Sequence, residues 1–399
     1  MRIENPFVIT PSLRAHISRA QSISLALGII FTGLTAIEFF LDPAQFFRSY
    51  MVGFLFIFGI ALGSLACLML QYMTGGAWGM VIRRQLEAGA RTIPFVTLLF
   101  VPLLFSIPHL YDWANPHLVQ TDKVLREKSG YLNPTWWIVR AAVVFALWNL
   151  WSFMLNKLSA QEEETGDVRF SRSLTRWSGL GLVMYVLSLT CAGTDWIMSM
   201  DAHWVSTIFG LILLGGQGLA IMATVVITTT LLIREEPMQT VVTKRHLHDL
   251  GKLLFMFTLF WTYVSFGQLV IIWAGNLPDE ITWYINRMNG SWIYAGAALL
   301  FLQWMLPFLI LLSQDIKRNA KTIRIMAIWT IVMRVVDMLW LVEPNYHREH
   351  IYIGWADITA VIGLGGLWAF VYLMELKKRA LIPINAPDLE RGLVYGPAH

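Results

Sequence analysis

Residues 250–274 limit this chain more than any other stretch: 25 residues, mostly apolar, entered through a basic, His-containing cap and left at Asn276-Leu277-Pro278. At a rise of about 1.5 Å per residue, such a run makes a helix of roughly 37 Å. That crosses a hydrocarbon core of about 30 Å with some tilt. Yet the run holds Thr262, Tyr263, Ser265 and Gln268. Polar groups at that depth need partners within the protein, because lipid offers none.

The same theme recurs ten times. Apolar runs lie at 20–40, 49–73, 92–111, 134–158, 177–200, 204–232, 250–274, 291–312, 322–341 and 352–374. Only 14% of the 399 residues are charged and 56% are hydrophobic, whereas a soluble domain holds about 25% charged residues. The reading is a polytopic, all-α integral membrane protein forming one membrane domain over 1–399. The 18 Trp and 12 Tyr suit interfacial belts. A net charge of +4 and a pI of about 9.0 do not mark a nucleic-acid binder here, because the cations sit at span ends, where they set topology.

Counting Lys and Arg gives 22 in segments on the side of the N-terminus and 6 on the opposite side; Arg140 and Arg334 fall within spans. The bias predicts that both termini face the cytoplasm. The loop 112–133 is then the longest outer segment, a surface for an external partner. The loop 156–176 reads as solvated and cytoplasmic, and the tail 375–399 as cytoplasmic and extended around Pro383, Pro387 and Pro397. The stretch before the first span reads as retained, not as a cleaved signal.

Cys67 and Cys191 lie in apolar runs and read as packing residues, with no CxxC spacing for haem attachment or an iron–sulfur cluster. Gly75-Gly76 and Gly215-Gly216 lack the lysine or strand context of nucleotide loops. The glycines of the sixth run (Gly210, Gly215, Gly216, Gly218) read as close helix packing.

Ionisable residues within spans are the strongest functional lead, since each costs about 2.5–3.5 kcal/mol at the bilayer centre on insertion scales. They are Glu38, Arg140, Asp195, Arg334, Asp337 and Asp357, with His109, Asp201 and His203 at span ends. The topology puts all of them in the outer part of the membrane. The inner half is expected to be almost free of charge, apart from a mouth at His246, His248, Asp249 and Lys252. One reading is a hydrated half-channel, or a proton or quinol site, opening outward. The other is internal pairing: Arg334 with Asp337 at i,i+3, and Arg140 with Asp195, Asp357 or Glu38. Tyr185, Gln217, Tyr263, Gln268 and Gln303 add neutral polar groups for interhelical hydrogen bonds or a proton wire. No histidine lies deep in a span, so no transmembrane haem is expected. His347 and His350 read as caps or docking contacts, and no metal site is expected.

Several ordered motifs carry a family resemblance. Residues 195–210 (DWIMSMDAHWVSTIFG), 248–255 (HDLGKLLF), 265–268 (SFGQ) and 276–280 (NLPDE) with Trp283-Tyr284 together resemble the ActF membrane subunit of alternative complex III, an NrfD/PsrC-like protein. Gly267 and Ala274 stand where that family is more aromatic. The resemblance implies two four-helix bundles, roughly 49–200 and 204–341, with the first and last spans outside them. It implies a cofactor-free subunit of a quinol:electron-acceptor oxidoreductase in the respiratory or photosynthetic electron transport of a bacterial inner membrane. The partners implied are multihaem and monohaem c-type cytochrome subunits, an iron–sulfur subunit, a second NrfD-like subunit and membrane lipids. The c-type haems and Fe–S clusters would sit on those partners, and menaquinol or another quinol would be oxidised in the complex.

The implied role is a proton path plus an assembly surface. Asp195, Asp201, His203, Asp337 and Asp357 would be outer proton carriers or gates, with Glu38, Gln268 and Tyr263 on the path. Arg140 and Arg334 would tune the acids, and His248 and Asp249 would form the inner mouth. Direct quinol binding near Glu38, Arg140 and His109, a stand-alone secondary transporter and a structural scaffold are the rival expectations.

Overall fold

The computed structural model describes residues 7–386 together with Leu389 and Leu393, apart from the side chain of Asp279. Among these residues, ten helices are long and apolar enough to cross a membrane: α1 (Pro11–Leu41), α2 (Pro43–Thr74), α3 (Ala77–Leu104), α4 (Pro134–Thr165), α5 (Val168–Met200), α6 (Phe209–Leu232), α7 (Lys244–Gly275), α8 (Trp292–Leu312), α9 (Ala320–Asn345) and α10 (Trp355–Leu376). The chain is an all-α, multi-pass membrane protein, as its apolar runs require.

Local chemistry sets where the helices begin. Pro11, Pro43 and Pro134 stand in first turns, where a missing N–H costs nothing. The Asp42 carboxylate accepts from the N–H groups of Ala44 and Gln45, Asn133 caps Trp136, and Asn319 caps Lys321 and Thr322. Gly166 (φ 65°) and Asn276 (φ 45°) close α4 and α7 in the left-handed conformation.

Ten alternating spans bring both ends of the chain to one face, here called the terminal face. There the Leu381 N–H donates to the Phe7 carbonyl, and Lys377 Nζ donates to Ser18. At the far face, Tyr346 donates to the Leu110 carbonyl and Tyr111 to the Trp196 carbonyl.

The centre is built by α2 and α6, whose apolar stretches are 89% and 78% buried against 17% for α1. α2 packs on α3, α5, α6 and α10, and α6 packs on α5, α7 and α9. α1 and α10 pair along their length. Their axes come close because a Cβ at Gly363 would lie 2.5 Å from the Thr32 nitrogen, and one at Gly366 2.7 Å from the Gly28 nitrogen. This is the small-residue packing that lipid-embedded helices favour.

Two expectations need correction. The third span begins near Ala77, not at residue 92. It is a helix Ala77–Ala90, a second piece Ile93–Leu99 and a 3₁₀ turn Val101–Leu104. Arg83, Arg84 and Glu87 had made its first half look like a loop. They lie instead inside the protein, where they neutralise one another. The segment 156–176 is exposed through 164–169 but is helical, not a loop: α4 runs to Thr165 and α5 starts at Val168, and Glu162 is buried. The segment 112–133 carries short helices at Pro116–Thr121 and Lys123–Lys128. Of the tail prolines, Pro387 and Pro397 lie outside the described residues. In α8 a widened π turn, Leu299–Met305, precedes Pro307, whose ring nitrogen has no N–H for the turn before it.

Gly363→Ala should push α10 off α1, because its new methyl meets backbone that cannot rotate away. Overpacking of this kind costs about 1–3 kcal/mol. A lowered unfolding temperature in detergent is the expected result. An unchanged temperature would show that the helix pair can separate freely.

Candidate functional site

The far face holds three groups of buried charge. In the first, Arg140 of α4 grips Asp195 of α5 with two bonds, Nε–Oδ2 at 2.6 Å and Nη2–Oδ1 at 3.0 Å. Its guanidinium also lies 3.8 Å over the Tyr131 ring and donates to the Tyr131 carbonyl. Asp195 is 1% exposed. Of the three partners open to Arg140, the fold selects Asp195. A two-point pair of this kind is fully committed, and it holds the α4–α5 hairpin together.

In the second group, Arg334 and Asp337 pair within α9, as their i,i+3 spacing suggests. They are 5% and 2% exposed. Room for the guanidinium comes from Gly216 of α6, where a Cβ would meet it at 2.3 Å. Asp337 then faces a cavity of about 310 Å³. Aromatic and aliphatic side chains make most of its wall, among them Trp261, Trp283 and Trp304, with Gln268, Tyr284 and Arg287 as polar points. Phe266, Met288, Ile293 and Leu300 border it and are exposed, so it opens on the lipid-facing surface. Gln268 accepts from Ser206 at 2.7 Å and donates to Tyr284 at 3.1 Å.

Arg287 stands in the amphipathic helix Pro278–Met288, between α7 and α8. It donates to the carbonyls of Trp283, Trp340 and Leu341 and lies 3.7 Å over the Trp283 ring. It therefore closes the carbonyl end of α9. Burial without a carboxylate beside it pushes the guanidinium down to about 9, against the pull of the Asp201 charge. Sequence reading had counted Arg287 only as a loop cation. Its signal was there: a cation beside Trp283 and Tyr284 in a helical pattern, next to an apolar run.

The third group is the one with excess acid. Glu38 of α1, Glu343 at the end of α9 and Asp357 of α10 are 7%, 0% and 1% exposed. Asp357 accepts from Ser49 at 2.6 Å, from Gln45 at 3.5 Å and from the Gly354 N–H at 2.7 Å. Glu343 feels the charges of Asp357 and Arg48, and Glu38 acts on Asp357. One Glu38 oxygen and both Glu343 oxygens are buried without a hydrogen-bond partner. Arg48 faces the ring of Tyr346 at 4.3 Å and His347 Nε2 at 3.4 Å. His347 Nε2 lies 3.8 Å from Glu343, too far for a hydrogen bond. Burial, and then Arg48, pushes the His347 imidazole below its usual range, so the native protein holds it neutral. Arg48 acts on Glu343, and among the described residues no Arg or Lys forms an ion pair with any of the three carboxyls, so protons must balance this group. Sequence reading found Glu38 and Asp357 but missed Glu343, which sits just past its span at the Pro344 turn.

Toward the terminal face, a buried charged network lies apart from the expected mouth at His246, His248, Asp249 and Lys252. Arg83 and Arg84 bind Glu87 at 3.1 and 2.6 Å. Arg83 also binds Glu162, and Arg84 binds Glu163 at 2.5 Å. Arg91 binds Glu375 at 2.9 Å, and Arg379 binds Glu87 at 3.2 Å. Four arginines, with Lys378 also on Glu375, meet four glutamates, so every carboxylate has a cation and the network leaves no proton to trade. The signal was Arg83-Arg84-x-x-Glu87, one helix turn of alternating charge beside apolar residues.

The other expected residues fall elsewhere. Tyr263 is 77% exposed on the lipid side of α7, so it cannot serve an interior path. Tyr185 donates to Gln217 at 2.7 Å, an interhelical hydrogen bond. His203 meets Asp122 at 2.8 Å. Asp201 follows the turn Met198–Met200. Asp249 holds Lys252 at 3.1 Å beside His248. His109 stacks on Phe47, Glu38 lies with Asp357, and Arg140 is taken by Asp195. These last three line none of the cavities described here. Among the described residues, no three His, Cys, Asp or Glu side chains are grouped to hold a metal ion.

The fold and these sites define a ten-span helical membrane protein with acid-rich groups buried at one end. No known protein family and no curated protein matches the chain.

Two outcomes follow. Arg140→Ala strands a buried carboxylate and should cost about 3–5 kcal/mol, as broken buried pairs do. The double change Arg140→Met with Asp195→Leu should recover most of that unfolding temperature; no recovery would mean the pair does more than neutralise charge. The second concerns pH. His347 is held neutral in the fold, while the unfolded chain takes up its proton near the ordinary value of about 6.5. The contribution of His347 to stability should therefore fall as pH drops below about 6.5, against the buried acids beside it, which gain as they take up protons. Protection of the 343–354 amides, taken relative to the intrinsic exchange rate at each pH, should therefore be lower in acid than in His347→Gln at the same pH; equal protection in the variant would clear His347 of the effect.

Proposed function

We propose that this chain is a cofactor-free membrane subunit of a quinol:electron-acceptor oxidoreductase of the alternative complex III type, and that its part is to handle protons at the far face. The observation that carries this reading is the group of buried carboxyls Glu38, Glu343 and Asp357, which act on one another while no Arg or Lys among the described residues forms an ion pair with them. Buried carboxyls in excess of cations exchange protons, whereas the balanced network at the terminal face does not. The Lys and Arg bias assigns the far face to the outside of a bacterial inner membrane. The ordered motifs at 195–210, 248–255, 265–268 and 276–280 support the family. The proposed partners are c-type cytochrome subunits, an iron–sulfur subunit and a second NrfD-like subunit, which would carry the haems and clusters.

Within this reading, Asp357 is the proton-holding group set between Ser49 and Gln45, and Glu343 passes the proton toward the surface beside His347. Asp337 faces the cavity and is a second site, able to take a proton only where its pair with Arg334 opens. A quinol site in that cavity is the second reading, favoured by its aromatic walls and lipid-facing mouth, with Gln268 and Tyr284 to hold a headgroup oxygen.

The first test is a mild-detergent pull-down of the chain from its native membrane, with a reduced-minus-oxidised spectrum of the eluate. Co-elution of c-type haem and iron–sulfur subunits is expected; a colourless chain, alone or self-associated, would sink the complex reading and promote a transporter. In the intact complex in vesicles, Asp357→Asn and Glu343→Gln should each lower protons moved per electron while leaving assembly intact, and Asp337→Ala should do the same to a lesser degree. Unchanged coupling in all three would leave the acids a structural role. A quinone-analogue photoprobe that labels only other subunits would remove the cavity reading.

A further inference from the structure

The terminal face carries a second charged group that the balanced network does not absorb. His248 and Lys252 stand in the first turns of α7. The short helix Gln314–Arg318, between α8 and α9, packs against α7 and brings Lys317 and Arg318 to them. The Lys317 stem crosses Gly251 so closely that a Cβ there would lie 2.7 Å from it. Lys317 is 7% exposed, yet among the described residues it forms no ion pair, and its ammonium sits 5.7 Å over Phe255. Burial, and then Lys252, pushes that ammonium below its usual range. Arg318 Nε and His248 Nδ1 are buried without a hydrogen-bond partner. The nearest acid on α7, Asp249, is taken by Lys252; Asp315 points away as an exposed residue, and Lys321 and Arg324 add charge in α9.

An apolar strip runs from this group toward the membrane centre. Phe255 stacks on Phe308 at 5.6 Å, and Leu309 and Leu312 are exposed. Unneutralised cations at span ends beside an apolar strip match one ligand chemistry, an anionic headgroup with an acyl tail. The geometry points to a binding site for the phosphodiester headgroup of an anionic phospholipid, held by Lys317 and Arg318 beside His248, with a chain along Phe255, Phe308 and Leu312. Lys317 is buried because the phosphate, not a protein carboxylate, completes its charge. The site is independent of the far-face acids and of any redox partner.

The test uses the full chain, purified with whatever subunits accompany it, delipidated in neutral detergent and offered phosphatidylglycerol, phosphatidylcholine or inorganic phosphate. Retained lipid is counted by native mass spectrometry. The chain should keep phosphatidylglycerol and not phosphatidylcholine. Lys317→Gln and Arg318→Gln should each weaken retention about fivefold, the usual worth of one interfacial cation. Should Lys317→Gln fail to fold, Arg318→Gln decides alone. Equal retention of both lipids, retention unchanged in the variants, or full competition by millimolar inorganic phosphate would each overturn the assignment.

Discussion

Charge balance in a medium without water is the constraint on which the rest of this structure depends. An ion buried in the bundle must meet an opposite ion, a proton or a set of oriented dipoles. Most of the buried groups here show one of those solutions. Arg140 and Asp195 use direct pairing across a helical hairpin, and Arg334 and Asp337 use pairing within one turn. Arg287 uses carbonyl dipoles at the end of α9. The four arginines and four glutamates of the terminal face use a closed network. The Glu38, Glu343 and Asp357 group differs, because among the described residues no Arg or Lys forms an ion pair with it.

That difference separates structure from function in a way that burial alone does not. Asp195 is as deeply buried as Asp357 and would rank equally on exposure. Its two-point hold on Arg140 leaves no reason for a proton to visit. Asp357 accepts instead from a hydroxyl, an amide and a backbone N–H, all neutral donors, and has two carboxyls as neighbours. The cavity beside Asp337 adds space and access from the lipid side, which the committed pair of α4 and α5 lacks. The far face thus divides into one braced corner and two corners able to react.

Several parts of the candidate site were legible beforehand. Glu38, Asp337 and Asp357 stand out as acids in apolar runs, and Arg334 precedes Asp337 by one turn. Glu343 escaped notice because it follows its run at a proline turn, where acids are usually solvated. Arg83, Arg84 and Glu87 escaped because three charges in five residues read as a loop until a partner helix supplies Glu162. Tyr263 misled in the other direction: period and position put it within the span, but only the packing of α7 decides that this face meets lipid.

The sequence by itself determined the number of spans, their alternation and the end at which the isolated acids gather. These follow from run length and spacing, which are local properties of a chain that must hide its backbone from lipid. The tertiary structure alone decided which charges meet. Ser49 reaches Asp357, Arg48 reaches His347, and Arg379 reaches Glu87 across hundreds of residues. Such meetings depend on helix rotation and on close approaches at Gly216, Gly251 and Gly363. No hydropathy pattern encodes those rotations, because neighbouring faces of an apolar helix are chemically alike until another helix covers one of them.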